Sequence, residues 1–177
     1  YSKNKNFDQL KKTIFNYNEL DPDLVDKYKT LMGWDDANSE INIKRNQIYN
    51  EVMQNIDNLN INQDRILSLN VPTGTGKTLM SLSAGLKLRD ILGQQHKLIY
   101  ALPFTSIIDQ NYSVFLNVFK KNGIKVDSSL MIKHHYLTPK KYIKNGSDEG
   151  EKYDISKYLI ESWNSEIIIT TFVQLLH

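Results

Sequence analysis

Residues 65–78, Arg-Ile-Leu-Ser-Leu-Asn-Val-Pro-Thr-Gly-Thr-Gly-Lys-Thr, constrain this chain more than any other stretch. The apolar run reads as a buried strand, the glycines as a tight turn, and Lys77-Thr78 as the opening of a helical run from Leu79 to Leu92. A phosphate chain needs several donors converging on it. Glycines let backbone N–H groups curl inward, and a helix N-terminus adds partial positive charge. On this reading Thr73, Gly74, Thr75, Gly76, Lys77 and Thr78 hold a nucleoside triphosphate. Lys77 reaches the β- and γ-phosphates, and the Thr78 hydroxyl ligates Mg²⁺. The first glycine of the general pattern G-x-x-x-x-G-K-[ST] falls at Val71, so the match departs there.

The rest of the chain reads as alternating strands and helices. Phe7, Leu10, Ile14 and Phe15 share one helical face, and Asp21-Pro22 reads as the start of a second helix, with Asp as N-cap. Residues 1–43 are therefore expected to form a helical linker or docking segment ahead of a main domain at 44–177. In that domain a helix from Lys44 carries Ile48, Val52 and Ile56, followed by an Asn-rich loop at 58–63. Strands are expected at 65–71, 96–102, 129–134 and 166–172, and helices at 79–92, 105–121 and 153–163. Residues 137–152 read as a polar loop. This alternation implies an α/β fold with a mostly parallel sheet, preceded by a short helical segment. The sheet is expected to be incomplete, leaving an apolar edge or face to be covered by the N-terminal helices or a neighbouring chain.

Composition adds exclusions rather than a function. Of the 177 residues, 40% are hydrophobic, enough for a core, and the formal charge of +2 is compatible with a nucleic-acid groove without arguing for one. The absence of cysteine removes disulfides and thiolate metal sites, and a cytoplasmic location is expected. No apolar run approaches the ~20 residues of a membrane span, so no membrane partner is expected. Because Tyr1 rather than Met opens the sequence, the chain reads as a piece of something longer.

Two strand ends carry hydroxyls. Pro103-Phe104-Thr105-Ser106 leads from a strand into a helix that includes Gln110, and Thr170-Thr171 is followed by Gln174. Hydroxyls and free N–H groups at one edge of a parallel sheet suit nucleic-acid phosphates; plain helix capping is the competing reading. Lys133-His134-His135-Tyr136 and Lys140-Lys141-Tyr142 interleave cations and rings, as single-strand binders do, although a solvated basic loop is the favoured reading. Adjacent histidines on a strand face opposite sides, so His134 and His135 make a poor metal pair. No expected strand ends in the carboxylate that ATP hydrolysis needs for Mg²⁺ and water, and Glu166 lies at the wrong end of its strand.

The Pro-Thr-Gly-x-Gly-Lys-Thr form resembles motif I of superfamily 2 helicases. Val71–Thr78, Tyr100–Asn111, His134-His135 and Glu161-Ser162-Trp163 followed by Ile167–Gln174 together resemble the CRISPR-associated type I helicase–nuclease family, in its I-B-like forms. The resemblance runs from about Lys44 to the C-terminus. It implies part of the first RecA-like lobe of an ATP-driven translocase on single-stranded DNA, recruited by a CRISPR-RNA surveillance complex. Gly74, Gly76, Lys77 and Thr78 match motif I, and Pro103, Thr105 and Gln110 match motif Ia. Thr170, Thr171 and Gln174 match the DNA-contacting segment before motif II. Phe104, Ser106 and His134 join the expected nucleic-acid contacts, and Gln47 is a candidate adenine reader that could equally be a surface glutamine. Motif II, the second lobe and an HD-nuclease pattern are missing, so little ATPase is expected of this piece alone. The competing readings are another superfamily 2 motor, of restriction or RNA type, and a non-hydrolysing interaction module with a vestigial loop.

Overall fold

A computed structural model describes residues 19–34, 39–64, 66–135 and 163–176. The expected helices around Phe7–Phe15 and 153–163, and the loop at 137–152, lie outside those residues, apart from Trp163.

Helix α1 runs Leu24–Leu31. It starts later than Asp21-Pro22 suggested. The Asp21 carboxylate accepts from the Asp23 N–H at 2.8 Å, making a turn before the helix rather than a cap on it. Its far end closes on Gly33, at φ +67°, a backbone region that favours glycine. Gly33 N–H donates to the Thr30 carbonyl and Trp34 N–H to the Lys29 carbonyl, both at 3.0 Å. This paired closure folds Trp34 back over its own helix, where its ring meets Tyr28 edge-on at 5.6 Å.

Helix α2 spans Glu40–Asp57 and α3 spans Lys77–Leu92. In α2 the fully buried positions are Tyr49, Met53 and Ile56, with Ile48 and Val52 half-buried beside them. Strand β1 (Leu98–Leu102) leads into α4, which spans Thr105–Lys121 as its pattern predicts. Strands β2 (Met131–His134) and β3 (Ile167–Thr171) follow, and a short α5 (Phe172–Leu176) ends the described chain. The sheet is parallel in the order β1-β3-β2, with Leu98 and Met131 both opposite Ile167.

Alternation along the strands puts Leu98, Tyr100, Leu102, Met131, Ile167 and Ile169 on one face. That face joins Met80, Leu86, Ile108, Phe115 and Phe119 in the core. Tyr100 fixes the helices above it: its hydroxyl accepts from Ser81 at 3.0 Å, and its ring packs on Phe115 at 5.4 Å. Helix α1 belongs to the same core through Leu20, Leu24, Val25 and Tyr28. The Asn122 amide tethers α1 by donating to the Leu24 carbonyl at 3.0 Å.

Two features depart from the sequence reading. The apolar run before the glycines is not a paired strand among the described residues. Ile66 is 94% exposed, Leu67 and Leu69 are also exposed, and only Val71 enters the core. A strand is stable only where a neighbour takes up its backbone donors and acceptors, and the three described strands pair with one another instead. Helix α5 likewise leaves Phe172, Val173, Leu175 and Leu176 exposed. Such apolar surface was expected to be covered by the N-terminal helices or a neighbouring chain; among the described residues nothing covers these positions. Among the described residues, no helix is long and apolar enough to cross a membrane.

Candidate nucleotide site and sheet edge

Between Val71 and α3 the backbone makes two turns that need glycine. Gly74 sits at φ +79° and Gly76 at φ +94°, and nothing lies within 4 Å of where a Cβ would stand at either position. The loop therefore curls around open space, as a phosphate cradle must. Thr75 Oγ1 donates to the Pro72 carbonyl at 2.7 Å and holds the curl shut. Gly76 caps α3 through backbone conformation alone, with no side chain over the first turn. Lys77 and Thr78 begin that turn, Lys77 exposed and Thr78 half-buried.

A second element steadies the loop. Arg45 of α2 donates from Nε to the Gly74 carbonyl at 3.0 Å. No motif in the sequence pointed to Arg45.

Beside the loop lies a recess of about 240 Å³. Its walls include Lys29 and Trp34 from α1 and its closing turn, Asn42, Asn46 and Tyr49 from α2, and Gly74–Gly76 from the loop. Gln47 does not line it and is exposed. On a helix, positions 42, 46 and 49 share a face that position 47 leaves. The Tyr49 hydroxyl donates to Asp26 at 2.9 Å and lies 2.7 Å from Ser83 Oγ. Burial, with Asp26 adding to it, pushes that hydroxyl well above the ordinary tyrosine range.

The C-terminal edge of the sheet, where α3 also begins, carries the remaining candidates. Pro103, Phe104, Ser106 and Gln110 are exposed and Thr105 half-buried. No side chain caps the first turn of α4, so neither hydroxyl is used up in that way. The second strand end differs. Thr170 is fully buried and donates to the His134 carbonyl at 2.8 Å. Thr171 Oγ1 accepts from the Gln174 N–H at 3.1 Å, capping α5. The His134 ring accepts the Trp163 indole N–H at 2.7 Å, which fixes its Nδ1 as an acceptor. Trp163 has φ +51°, an uncommon conformation for a bulky residue, and its carbonyl accepts from Lys97. The loop 73–78 at the head of α3 and the segment 103–110 after β1 are each contiguous and accessible in part. The hydroxyls of Thr170 and Thr171 and the His134 ring are engaged within the protein.

The Lys77–Thr78 turn and its open cradle fit the triphosphate of ATP. For Mg²⁺ they supply the Thr78 hydroxyl, while among the described residues no group of three His, Asp or Glu side chains converges as a metal site. Glu166 is committed elsewhere: at the entry to β3 it meets Arg89 of α3 at 2.5 Å, both side chains buried.

A parallel sheet with a glycine cradle at the head of α3 defines a P-loop α/β lobe of the RecA-like kind. Residues 38–176 match the family described as type III restriction enzyme, res subunit, and the chain belongs to that family, among the superfamily 2 helicase motors. It is also similar to the CRISPR-associated nuclease/helicase Cas3 of Haloferax volcanii, at 37% identity over 122 residues. That alignment covers 62% of this chain and 13% of the relative, so the chain spans about an eighth of the curated relative's length. The resemblance to the CRISPR-associated helicase–nucleases, as part of the first lobe, therefore stands.

Proposed function

We propose that this chain is the ATP-binding part of the first motor lobe of a single-stranded DNA translocase acting in type I CRISPR interference. The observation that carries the reading is the open cradle at Gly74–Gly76, pinned by Arg45 and followed directly by Lys77 and Thr78. In the proposed complex Lys77 neutralises the β- and γ-phosphates and Thr78 ligates Mg²⁺. Pro103–Ser106 and Gln110 meet the DNA backbone at the C-terminal edge of the sheet, with Gln174 on the neighbouring strand end. A CRISPR-RNA surveillance complex recruits the longer protein, a reading supported by the name of the Haloferax relative.

The test compares the longer protein with this chain. Single-stranded DNA is expected to stimulate ATP hydrolysis by the longer protein, Lys77→Ala to abolish it, and the 177-residue chain to show almost none. Turnover by this chain at the rate of the longer protein would overturn the fragment reading.

A restriction-type translocase is the second reading, favoured by the description of the matched family. Dependence of DNA unwinding on a CRISPR-RNA complex separates the two. Unwinding that needs no such complex selects the restriction-type motor.

A further inference from the structure

The family match begins at residue 38, yet one wall of the recess beside the glycine loop comes from before it. Lys29 and Trp34 form that wall, and both are built into place. Trp34 is held at its N–H by the Lys29 carbonyl, and its own carbonyl accepts from the Asn46 amide at 3.0 Å. The residue is about one-third exposed, and its ring stands edge-on to Tyr28. The Lys29 ammonium lies 3.7 Å above the Tyr49 ring and 3.9 Å from Asp26. Beneath them the Tyr49 hydroxyl joins Asp26 of α1 to Ser83 of α3, so one hydroxyl ties the upstream helix to the helix that carries Lys77.

The chemistry of the recess suits a nucleobase. Its volume is below the roughly 300–1,000 Å³ of drug-sized pockets, and it opens on the loop that would hold the phosphates. One wall offers an aromatic face. Asn42 and Asn46, one helical turn apart on α2, also line it with side-chain amides that can donate and accept, the Asn46 amide already donating to the Trp34 carbonyl.

We propose that the helix α1 segment ending in Trp34 is a working wall of the nucleotide site. Trp34 stacks on the base, Asn42 and Asn46 face its polar edge, and the Asp26–Tyr49–Ser83 link couples the seating of α1 to base occupancy. This rests on the ATP-binding reading above and extends the site to residues upstream of the family match.

The test measures binding of Mg-ATP and of inorganic Mg-tripolyphosphate to the 177-residue chain by calorimetry and tryptophan fluorescence. Tripolyphosphate carries the phosphates without a base. ATP, but not tripolyphosphate, is expected to quench a fluorescence component that Trp34→Phe removes. Trp34→Ala is expected to weaken ATP about tenfold and to leave tripolyphosphate unchanged. Trp34→Phe, which keeps a stacking ring, is expected to recover most of that loss. Tyr49→Phe, which cuts the link but keeps the ring, is expected to reduce the ATP-induced protection of α1 amides from hydrogen exchange.

The inference is overturned, with the ATP reading intact, if Trp34→Ala binds ATP as tightly as the parent or loses both ligands equally. It is also overturned if ATP leaves Trp34 emission unchanged, or if Tyr49→Phe protects α1 as the parent does. Absence of binding by either ligand, or ATP binding that survives Lys77→Ala, overturns the P-loop reading and this inference together.

Discussion

Arg45 Nε donates to the carbonyl oxygen of Gly74 at 3.0 Å, joining α2 to the loop that precedes Lys77. The pair is exposed, so its contribution to global stability is small, but it constrains the flexible part of the cradle. Arg45→Ala is expected to weaken Mg-ATP binding about three- to tenfold, on the order of 1 kcal/mol, the net worth of an ordinary hydrogen bond, with little change in thermal midpoint. Calorimetric titration with a parallel melt checks this. A large loss of stability with unchanged affinity would place Arg45 in the scaffold instead.

Gly76 occupies φ +94° at the head of α3. A Cβ there meets no neighbour, so the strain is conformational rather than a clash. Gly76→Ala is expected to destabilise the chain by about 1–2 kcal/mol and to lose ATP binding by more than that strain alone explains. The second effect follows if the N–H groups swing out of the cradle. Urea unfolding and ATP titration on the same sample separate the two.

Arg89 and Glu166 form a buried ion pair, with side chains 0% and 6% exposed. Arg89 also donates from Nε to the Gln94 carbonyl at 3.0 Å, so the pair locks the end of α3 to the entry of β3. Removing one partner strands a buried charge, which costs roughly 3–5 kcal/mol. Glu166→Ala is expected to lower stability by about that amount, whereas a Glu166→Leu/Arg89→Met double variant recovers much of the loss. Chemical denaturation of both variants checks this.

Burial holds the His135 imidazole below its ordinary 6.5, with nearby Asp109 opposing the shift and Lys133 adding to it. The native state therefore binds fewer protons than the unfolded chain at mildly acidic pH. The associated stability is complete above the unfolded value near 6.5 and is lost as pH falls through the lowered native value. The urea midpoint is expected to drop between pH 7 and pH 5, and His135→Gln to remove part of that drop. Asp109 acts in a lower window. The hydrogen bond from Lys133 lowers its carboxyl below 3.8, so its contribution disappears only as pH falls through that lower value.

How much of this was legible depends on whether a residue's role is local. Helix α4 appears at its predicted bounds because Ile108, Phe115 and Phe119 repeat at helical spacing, and a parallel sheet follows from the alternation of elements. The cradle was legible for the same reason: Gly74 and Gly76 are required by backbone conformations three residues long. Asp21 misled because an Asp-Pro pair satisfies a turn as readily as a helix start. For Thr170, a hydroxyl at a strand end gives no sign, in sequence, of the His134 carbonyl to which it donates at 2.8 Å.

The sequence by itself determined the glycine-loop motif, helix α4, the parallel α/β class and the family, because each rests on contiguous residues with fixed spacing. Only the tertiary structure decided that Arg45 pins Gly74, that Glu166 belongs to Arg89, and that Trp34 stands beside the nucleotide loop. Those pairings join residues 29, 77 and 40 positions apart. Packing brings such groups together, and no local periodicity records it.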